Sequence, residues 1–468
     1  MNALKNPIFK TLSAALFACV LFSHCGKYSD TGRNLPAEWL FLDKNTPLYI
    51  GNWIGGDHSI GAMNGSHARF EAVRASGNED IPFTYTEYDS APFAGTLVKD
   101  DYLLFRVPVE FLEQGSHIEI DAVVISNPSS PKYFIIEYYE SGRWKSVSED
   151  LLPVPEDLQL KYSFLCTGLS TGEPHEYTSI YQTITLGKAI RNGELKIRFR
   201  AVGDYTCSQK EQDIMAEDGS VGIANFGYTA AYIADLGSKT PIDTTKILCI
   251  GNSFTYFSNA PSMMKEIAWS QGHYFDINAS LKGGQTLGQH VTRVMTKHLT
   301  EVGGYDYAIF QDQSQNPARH ASDPARYADV AEGYKSLSSM VLANSPDCQV
   351  IMEQTWAYPA FDFGGFDDFR TFTRLLEEGA SMMASQNGGI VSPIGNAYEI
   401  IWNENKDLIR LYDSDAKHQS HYGSYLKACV NYLMIIGEPF SGIPADCGLE
   451  PSKAAILRDA AERAVFRK

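Results

Sequence analysis

Positively charged residues are scarce in this 468-residue chain: 39 lysines and arginines stand against 56 aspartates and glutamates, which gives a formal net charge of −17 at pH 7. No cluster of lysines or arginines interrupts this acidic balance. Because nucleic-acid binding depends on cations that neutralise phosphates, the composition argues against a nucleic-acid partner. An acidic surface also disfavours loose, charge-driven binding of strongly anionic polymers.

Long apolar runs are also rare. The run at residues 12–22 follows two lysines and is too short for a helix that crosses a bilayer, which needs about 20 residues. It predicts an export signal over residues 1–24. Cys25 follows it as the lipidated cysteine of a bacterial lipoprotein would, with His24 in place of the usual small residue. We therefore predict an exported protein of the bacterial cell envelope that touches the membrane by a lipid anchor on Cys25 only; ordinary secretion is the alternative.

Cysteine is infrequent as well, with eight residues in the chain. None of their spacings matches a zinc site, so no metal centre is predicted. Cys249 and Cys429 lie in apolar runs that predict buried thiols. Cys166 and Cys207 lie in polar surroundings, and since an exported protein meets oxidising conditions, they are our choice for a disulfide pair.

The first half of the chain has the pattern of an antiparallel β-sandwich. The length predicts two or three domains, and a hydrophobic content of 44% excludes a disordered chain. After a lipoprotein linker at residues 25–44, residues 45–236 contain short alternating or apolar runs separated by turn signals such as Asn192-Gly193. The runs span residues 102–109, 118–125, 133–139, 179–186 and 195–201. We predict a jelly-roll-like sandwich here.

The second half has a different pattern. A polar, proline-containing segment at residues 237–245 predicts a linker between two domains. Over residues 246–468, apolar runs alternate with helical stretches, as a parallel sheet with crossover helices requires. These runs span residues 246–250, 274–277, 305–310, 349–352 and 390–391. We predict an α/β domain that follows the sandwich.

One serine follows the first of these runs directly. Ser253 lies in a Gly-Asn-Ser-Phe-Thr turn at residues 251–255, so it is predicted at the carboxyl end of a central strand, where open α/β sheets place their sites. A serine hydroxyl is a poor nucleophile until a base takes its proton, and His418 is the candidate base. Asp415, three residues earlier, is the candidate for orienting the imidazole.

Other interpretations of these residues remain open. Gly-Asn-Ser also suits an ordinary turn, in which Ser253 would be a structural or N-cap residue. His421 lies close enough to His418 to compete as the base, and Asp413 is the second candidate for the acid. His290 is a candidate for a further residue facing the site, with a structural role as its alternative.

These motifs carry a family resemblance. Residues 245–440 resemble the SGNH/GDSL hydrolase family, in its bacterial subgroup with a Gly-Asn-Ser-Phe-Thr first block and an Asp-x-x-His last block. The resemblance implies a three-layer, flavodoxin-like α/β fold. It also implies a catalytic triad of Ser253, His418 and Asp415 that needs no metal and no organic cofactor.

The same resemblance implies an oxyanion hole. The second block, Lys-Gly-Gly-Gln at residues 282–285, supplies a backbone N–H, for which Gly284 is chosen over Gly283. In the family, a strand of the third block usually ends in Gly-x-Asn-Asp, whose asparagine completes the oxyanion hole, and this chain has Gln-Asp-Gln-Ser at residues 311–314 instead. Gln313 aligns best with the missing asparagine, and Gln311 is the alternative.

The predicted function is a serine esterase that hydrolyses acyl esters, in particular O-acetyl groups on glycans. The substrate would be an acylated glycan or a small ester, and Gln311, Gln354 and Trp356 are predicted to line its pocket. Trp356 could stack on a sugar, and packing in the core or at the rim is the alternative for it. The alternative is a cell-surface glycan-binding protein with an inactive or weakly active hydrolase domain. A serine peptidase is a third, more remote interpretation.

Overall fold

The computed structural model describes residues 35, 37–39, 59–61, 67–85, 92–95, 97–147, 164–166, 176–207, 220–223, 231–360 and 365–466. The predicted export signal, Cys25 and most of the linker at residues 25–44 lie outside these described residues. Within them, no helix combines the length and the apolar character that crossing a membrane requires.

Two antiparallel sheets come first along the described chain, with elements numbered in chain order. The first sheet contains seven described strands: β1 (Ala37–Trp39), β5 (Phe83–Tyr85), β6 (Pro92–Gly95), β8 (His117–Ser126), β12 (Glu176–Thr185), β14 (Ser220–Ile223) and β15 (Ala231–Gly237). The second sheet contains eight described strands: β2 (Ser59–Gly61), β3 (Arg69–Arg74), β4 (Glu79–Asp80), β7 (Tyr102–Leu112), β9 (Pro131–Glu140), β10 (Arg143–Ser146), β11 (Phe164–Leu165) and β13 (Ile190–Thr206). The main path of the second sheet runs in the order β10-β9-β13-β7-β3-β2.

The two antiparallel sheets bury their apolar residues in one shared core. Ile120 of β8 and Ile180 of β12 meet Phe105 of β7 and Phe199 of β13 in this core. Period-2 alternation explains which residues point inward, since successive side chains of a strand face opposite sides of a sheet. Asn192-Gly193 was predicted as a turn between strands, and here the structure differs. Asn192 has a φ of 43° but lies within β13, whose pairing with β7 continues past it without a shift in register.

The cysteine pairing that we expected is not formed. Cys166 and Cys207 are both buried free thiols, and the Sγ atom of Cys207 lies 3.3 Å from the carbonyl oxygen of Cys166. Burial raises the pKa of the Cys207 thiol to about 12, so it stays protonated. Their polar sequence neighbours misled the prediction, because both thiols point into the antiparallel core.

A parallel sheet follows, with its strands in the spatial order β17-β16-β18-β19-β20. Its described strands are β16 (Asp243–Gly251), β17 (His273–Leu281), β18 (Tyr307–Phe310), β19 (Gln349–Glu353) and β20 (Ile390–Ser392). The order 2-1-3-4-5 is one of the common orders of doubly wound sheets. The prediction of antiparallel sheets followed by a parallel α/β region is therefore confirmed.

Helices cover both faces of the parallel sheet. Those described are α1 (Ser253–Tyr256), α2 (Ala260–Ser270), α3 (Leu287–His290), α4 (Val294–Val302), α5 (Asn316–Ser322), α6 (Ala328–Asn344), α7 (Phe369–Ala384), α8 (Ile394–Asn405), α9 (His421–Ile436) and α10 (Pro451–Phe466). Ile247 and Cys249 of β16 pack with α2 and α9 on one face, and Leu248 and Ile250 pack with α6 on the other. The part of a strand that is covered on both faces is apolar, as residues 247–250 of β16 are.

A buried ion pair joins the antiparallel and parallel regions. The Nζ atom of Lys265, on α2, lies 3.1 Å from Glu119 and 3.9 Å from Asp121, both on β8. Burial alone would lower the pKa of Lys265, but the two carboxylates outweigh it and hold this pKa above its ordinary value, so the ammonium stays charged. Asn259, just before α2, donates from Nδ2 to Asp121 at 3.2 Å. The helix that follows Ser253 is thus fastened to the first antiparallel sheet.

Candidate active site

Ser253 stands at the carboxyl end of β16, as the first residue of α1. Glycine is required at Gly251, because a Cβ there would lie 2.4 Å from Thr255 Oγ1 and 2.8 Å from Gln311 Oε1. Asn252 caps α1 by accepting the Phe254 N–H at Oδ1 and donates from Nδ2 to the carbonyl of Gln285 at 2.8 Å. The turn that presents Ser253 is therefore held from both sides.

Three polar side chains form a chain of hydrogen bonds at this turn. Ser253 Oγ lies 2.8 Å from His418 Nε2, and His418 Nδ1 lies 2.5 Å from Asp415 Oδ2. The other oxygen of Asp415 accepts the backbone N–H groups of Lys417 and His418. Burial alone would raise the pKa of Asp415, but these hydrogen bonds outweigh it and lower the pKa, so the carboxylate stays charged.

Packing and hydrogen bonds hold His418 in place. The ring of Phe257 stacks on its imidazole with a centroid distance of 4.2 Å, and the ring of Phe254 forms a T-shaped pair with it at a centroid distance of 5.4 Å. The next residue, Gln419, is fully buried and donates from Nε2 to the carbonyl oxygens of Ser253, Phe254 and Phe257. One residue beside the imidazole thus fixes the backbone of the serine turn.

The residues predicted for an oxyanion hole lie in two neighbouring loops. Gly284 is exposed and has a φ of 70°, a conformation that favours glycine, and a Cβ there would meet nothing within 4 Å. Gln313 is half-buried; its Oε1 accepts the N–H of Gln315 at 3.0 Å and its Nε2 lies 3.3 Å from Ser314 Oγ. Both residues are at least partly exposed to solvent, and their role as oxyanion donors stays a prediction.

Asp312 connects these two loops and was missed in the sequence. Its Oδ1 accepts the N–H of Leu287, at the start of α3, at 3.0 Å and the N–H of Gln313 at 2.7 Å. Burial raises the pKa of Asp312 to about 6. A Gln-Asp-Gln run after a strand could have identified it, because a carboxylate at this sheet edge is well placed to accept N–H groups of adjacent loops.

Three predicted substrate-binding residues are buried instead. The side chain of Gln311 makes its hydrogen bonds inside the protein. Its Oε1 accepts from Asn252 N at 2.9 Å and from Thr255 Oγ1 at 3.1 Å, and its Nε2 donates to the carbonyl of Asp312. Gln354 pairs with Asn396, donating to its Oδ1 at 2.9 Å. Both are 0% exposed, so the predictions that they bind substrate are wrong, as is the alternative that Gln311 completes an oxyanion hole.

Trp356 is a further correction. Its ring is 0% exposed and lies between Phe254, at a centroid distance of 4.5 Å, and Tyr398, at 4.6 Å. Its Nε1 donates to the carbonyl of Lys417. A ring with both faces covered cannot stack on a sugar. Trp356 instead holds the backbone of Lys417, the residue before His418, through its hydrogen bond.

The competing histidines and the second aspartate have other partners. His421 Nε2 lies 2.8 Å from the carbonyl oxygen of Cys447. His290 is buried, with Nε2 3.0 Å from the carbonyl oxygen of Gly251 and its pKa lowered to about 3 by burial and by Arg293. Asp413 contacts the peptide of His418 through its backbone N–H, at 2.8 Å from the carbonyl oxygen. None of these three contacts involves the hydroxyl of Ser253.

A buried ion pair lies beneath the serine turn and was also missed. Lys427 Nζ, on α9, lies 2.6 Å from Glu353 Oε2 and donates to the carbonyl of Phe254 at 2.8 Å. Asn431 donates to the other oxygen of Glu353 at 2.7 Å. All three residues are at most 3% exposed. Polar residues in an otherwise apolar helix were the available signal, because buried charges are found paired. No group of metal-ligating side chains occurs among the described residues.

No family model matches this chain, and no match is found among curated proteins. Solved structures are similar at low identity. A DUF4886 family protein from Bacteroides uniformis is 18% identical, with 48% of this chain and 96% of the other covered at a TM-score of 0.40. A variant of an acetyl xylan esterase from Geobacillus stearothermophilus is 15% identical, with 43% and 97% covered at 0.32. A family two carbohydrate esterase from Clostridium thermocellum is 12% identical, with 76% and 96% covered at 0.30. Such distant likenesses assign no function, which has to be argued from the site itself.

Proposed function

We propose that this protein is a serine esterase whose nucleophile is Ser253. The observation that carries the proposal is the continuous hydrogen-bonded chain from Ser253 Oγ through His418 to Asp415. A serine next to a base that is itself oriented by a carboxylate is the arrangement that activates a hydroxyl for acyl transfer. Its position at the carboxyl edge of a parallel sheet supports the same function.

In the acylation step, Ser253 Oγ attacks the ester carbonyl while His418 Nε2 takes the hydroxyl proton. The resulting imidazolium is stabilised by the carboxylate of Asp415, which accepts a hydrogen bond from its Nδ1–H. The negative charge that forms on the carbonyl oxygen is held by the N–H groups of Ser253 and Gly284 and by the amide of Gln313. Each such donor contributes about 3 kcal/mol to transition-state stabilisation. The C–O bond to the alcohol then breaks, and the alcohol leaves with the proton from His418.

In the deacylation step, water replaces the alcohol. His418 Nε2 takes a proton from the water as its oxygen attacks the acyl-serine carbonyl, and the same donors hold the oxyanion. The bond between the acyl carbon and Ser253 Oγ breaks, and His418 returns the proton to Ser253. The products are a carboxylic acid and the regenerated hydroxyl.

We propose O-acetyl groups on glycans as the substrate class. The support is the resemblance of residues 245–440 to SGNH/GDSL hydrolases, together with the predicted export signal, which would bring the enzyme to extracellular or envelope polysaccharides.

The same proposal includes the lipid anchor on Cys25. Replacing Cys25 by alanine should abolish incorporation of labelled palmitate and move the protein from the membrane fraction to the soluble fraction.

The test of the esterase is hydrolysis of p-nitrophenyl acetate by residues 26–468 and by the Ser253→Ala variant. The matched control is Ser336→Ala, which replaces a half-buried serine on α6 that donates to Glu332. We expect activity in the parent and the control and background rates in Ser253→Ala, with equal thermal midpoints. Release of acetate from acetylated xylan, measured by an enzyme-coupled assay, then tests the glycan. Equal background rates in all three proteins would overturn the proposal.

A further inference from the structure

Three aromatic rings lie together on the outer face of the second antiparallel sheet, away from the serine. Leu103 and Tyr138 point into the core, so alternation places their neighbours Tyr102 and Tyr139 on the outer face. Trp144 pairs directly with Tyr139 across strands β10 and β9 and therefore shares its face. The Trp144 ring lies 5.3 Å from that of Tyr139 and 6.4 Å from that of Tyr102.

The rings form a band across the sheet. Trp144 is on β10, Tyr139 on β9 and Tyr102 on β7, and β13 lies between β9 and β7. The three residues thus belong to four adjacent strands whose backbones span about 14 Å, but their rings converge, because the Trp144 ring lies close to both tyrosine rings. An elongated ligand could contact all three rings at once.

Two cations fix the rings in position. The guanidinium carbon of Arg198, on β13, lies 4.1 Å from the ring centroid of Trp144 and 4.9 Å from that of Tyr102. The Nζ atom of Lys196 lies 5.6 Å from the ring centroid of Tyr139. Such contacts hold rings and cations together, so little conformational entropy is left to lose when a ligand binds.

The cationic side chains on this face are paired with carboxylates. Arg198 pairs with Glu137 at 2.6 Å and Lys196 with Glu194 at 3.4 Å. Arg106 pairs with Glu194 at 2.9 Å and with Glu71 at 3.7 Å. The face therefore presents donors and acceptors at fixed positions without the excess of positive charge that an anionic polymer requires.

The band is accessible to a ligand. Tyr139 is 38% exposed, and Tyr102, Trp144, Lys196 and Arg198 are half-buried. A sugar ring has an apolar face of C–H groups and an edge of hydroxyls, so it pairs with aromatic rings that are bordered by hydrogen-bonding groups. Ring contacts next to paired charges suit an uncharged polyhydroxylated ligand better than they suit an ion or an apolar peptide.

We propose that the aromatic band, formed by Tyr102, Tyr139 and Trp144 with Arg198 and Lys196, binds an uncharged oligosaccharide chain. The band lies on a different sheet from the serine site, and this binding does not depend on the esterase chemistry. If the esterase also acts on glycans, the band would hold the polysaccharide that carries the acyl groups.

The test is affinity gel electrophoresis of residues 26–468 in gels that contain arabinoxylan, galactomannan or mixed-linkage β-glucan, with polygalacturonate as the acidic comparison. We expect retardation by at least one neutral polysaccharide and none by polygalacturonate. The Tyr139→Ala/Trp144→Ala double variant should bind more weakly, with the apparent Kd raised about tenfold or more, as the loss of two stacked rings implies. Trp144→Phe should retain part of the affinity.

The matched control is Phe466→Ala, which removes an aromatic ring of the same 38% exposure from the end of α10. It should leave retardation unchanged, and both variants should keep the parental circular dichroism spectrum and rate with p-nitrophenyl acetate. Retardation by polygalacturonate alone, by none of the polysaccharides, or equally in the double variant and the parent would each overturn the proposal.

Discussion

The ring of Phe257 lies parallel to the imidazole of His418, with 4.2 Å between the centroids and 12° between the planes. Phe257 belongs to a 3₁₀ turn in which Ser258 and Asn259 adopt left-handed backbone conformations, with φ of 50° and 54°. Asn259 is in turn bonded to Asp121 of the first antiparallel sheet. The position of the imidazole is therefore connected to the neighbouring domain through this turn.

Replacing Phe257 by alanine should lower kcat for p-nitrophenyl acetate about tenfold. The imidazole would lose the surface that holds its ring plane, and the imidazolium formed during acylation would lose a favourable contact with an aromatic face, worth about 1 kcal/mol. Phe257→Tyr keeps the stacked ring and should stay near the parental rate. An unchanged kcat in Phe257→Ala would show that the stacking does not position the base.

Replacing Asp415 by asparagine should lower kcat by roughly 10²–10⁴-fold with little change in KM, because an amide can neither select the required tautomer nor stabilise the imidazolium. The matched control is Asp413→Asn, two residues away, whose contact with His418 is made by its backbone. That control should stay within a few-fold of the parent. Equal effects of the two substitutions would contradict the assignment of the acid.

The buried carboxyl of Asp312 should make stability depend on pH. Its pKa is raised from 3.8 to about 6 by burial, so the folded state binds a proton that the unfolded state has lost between these values. The contribution of Asp312 is therefore most favourable below pH 4 and declines as pH rises through about 6, by about 3 kcal/mol in all.

The Asp312→Asn variant tests this directly, since its Oδ1 can still accept from Leu287 and Gln313. Relative to the parent, its free energy of unfolding should increase between pH 4 and pH 6 and then level off. Urea denaturation at pH 4, 5, 6 and 7 measures the difference. A difference that is constant across this range would show that Asp312 is ionised throughout.

Removing Lys427 should destabilise the protein strongly. Lys427→Met leaves the carboxylate of Glu353 buried without its cation, at a cost of about 3–5 kcal/mol. The double variant Lys427→Met/Glu353→Gln removes the uncompensated charge and should recover a large part of that loss. Denaturant unfolding of the parent, both single variants and the double variant gives the coupling energy. Additive single effects would contradict a direct ion pair.

Local pattern was enough to predict the elements that carry the candidate site. The apolar run at 246–250 lies in the C-terminal half of β16, and the turn after it presents Ser253 at the end of that strand. The parallel sheet and the antiparallel strands were predictable for the same reason, because side-chain periodicity is a property of neighbouring residues. The spacing of Asp415 and His418 likewise predicted that the two could bond.

Tertiary packing decided which side chains face solvent, and here the sequence misled. Trp356 and Gln354 follow β19, which ends at the same edge of the sheet as β16, yet both are fully buried because Tyr398, Phe254 and Asn396 cover them.

The amino-acid sequence by itself determined the strands, the turn and the candidate residues of this protein, since these depend on contacts between near neighbours. Only the tertiary structure decided that Lys265 fastens α2 to β8, that Phe257 lies against His418, and that Cys166 and Cys207 stay unpaired. Each of these depends on residues far apart in the chain, and no local periodicity encodes which distant surfaces meet.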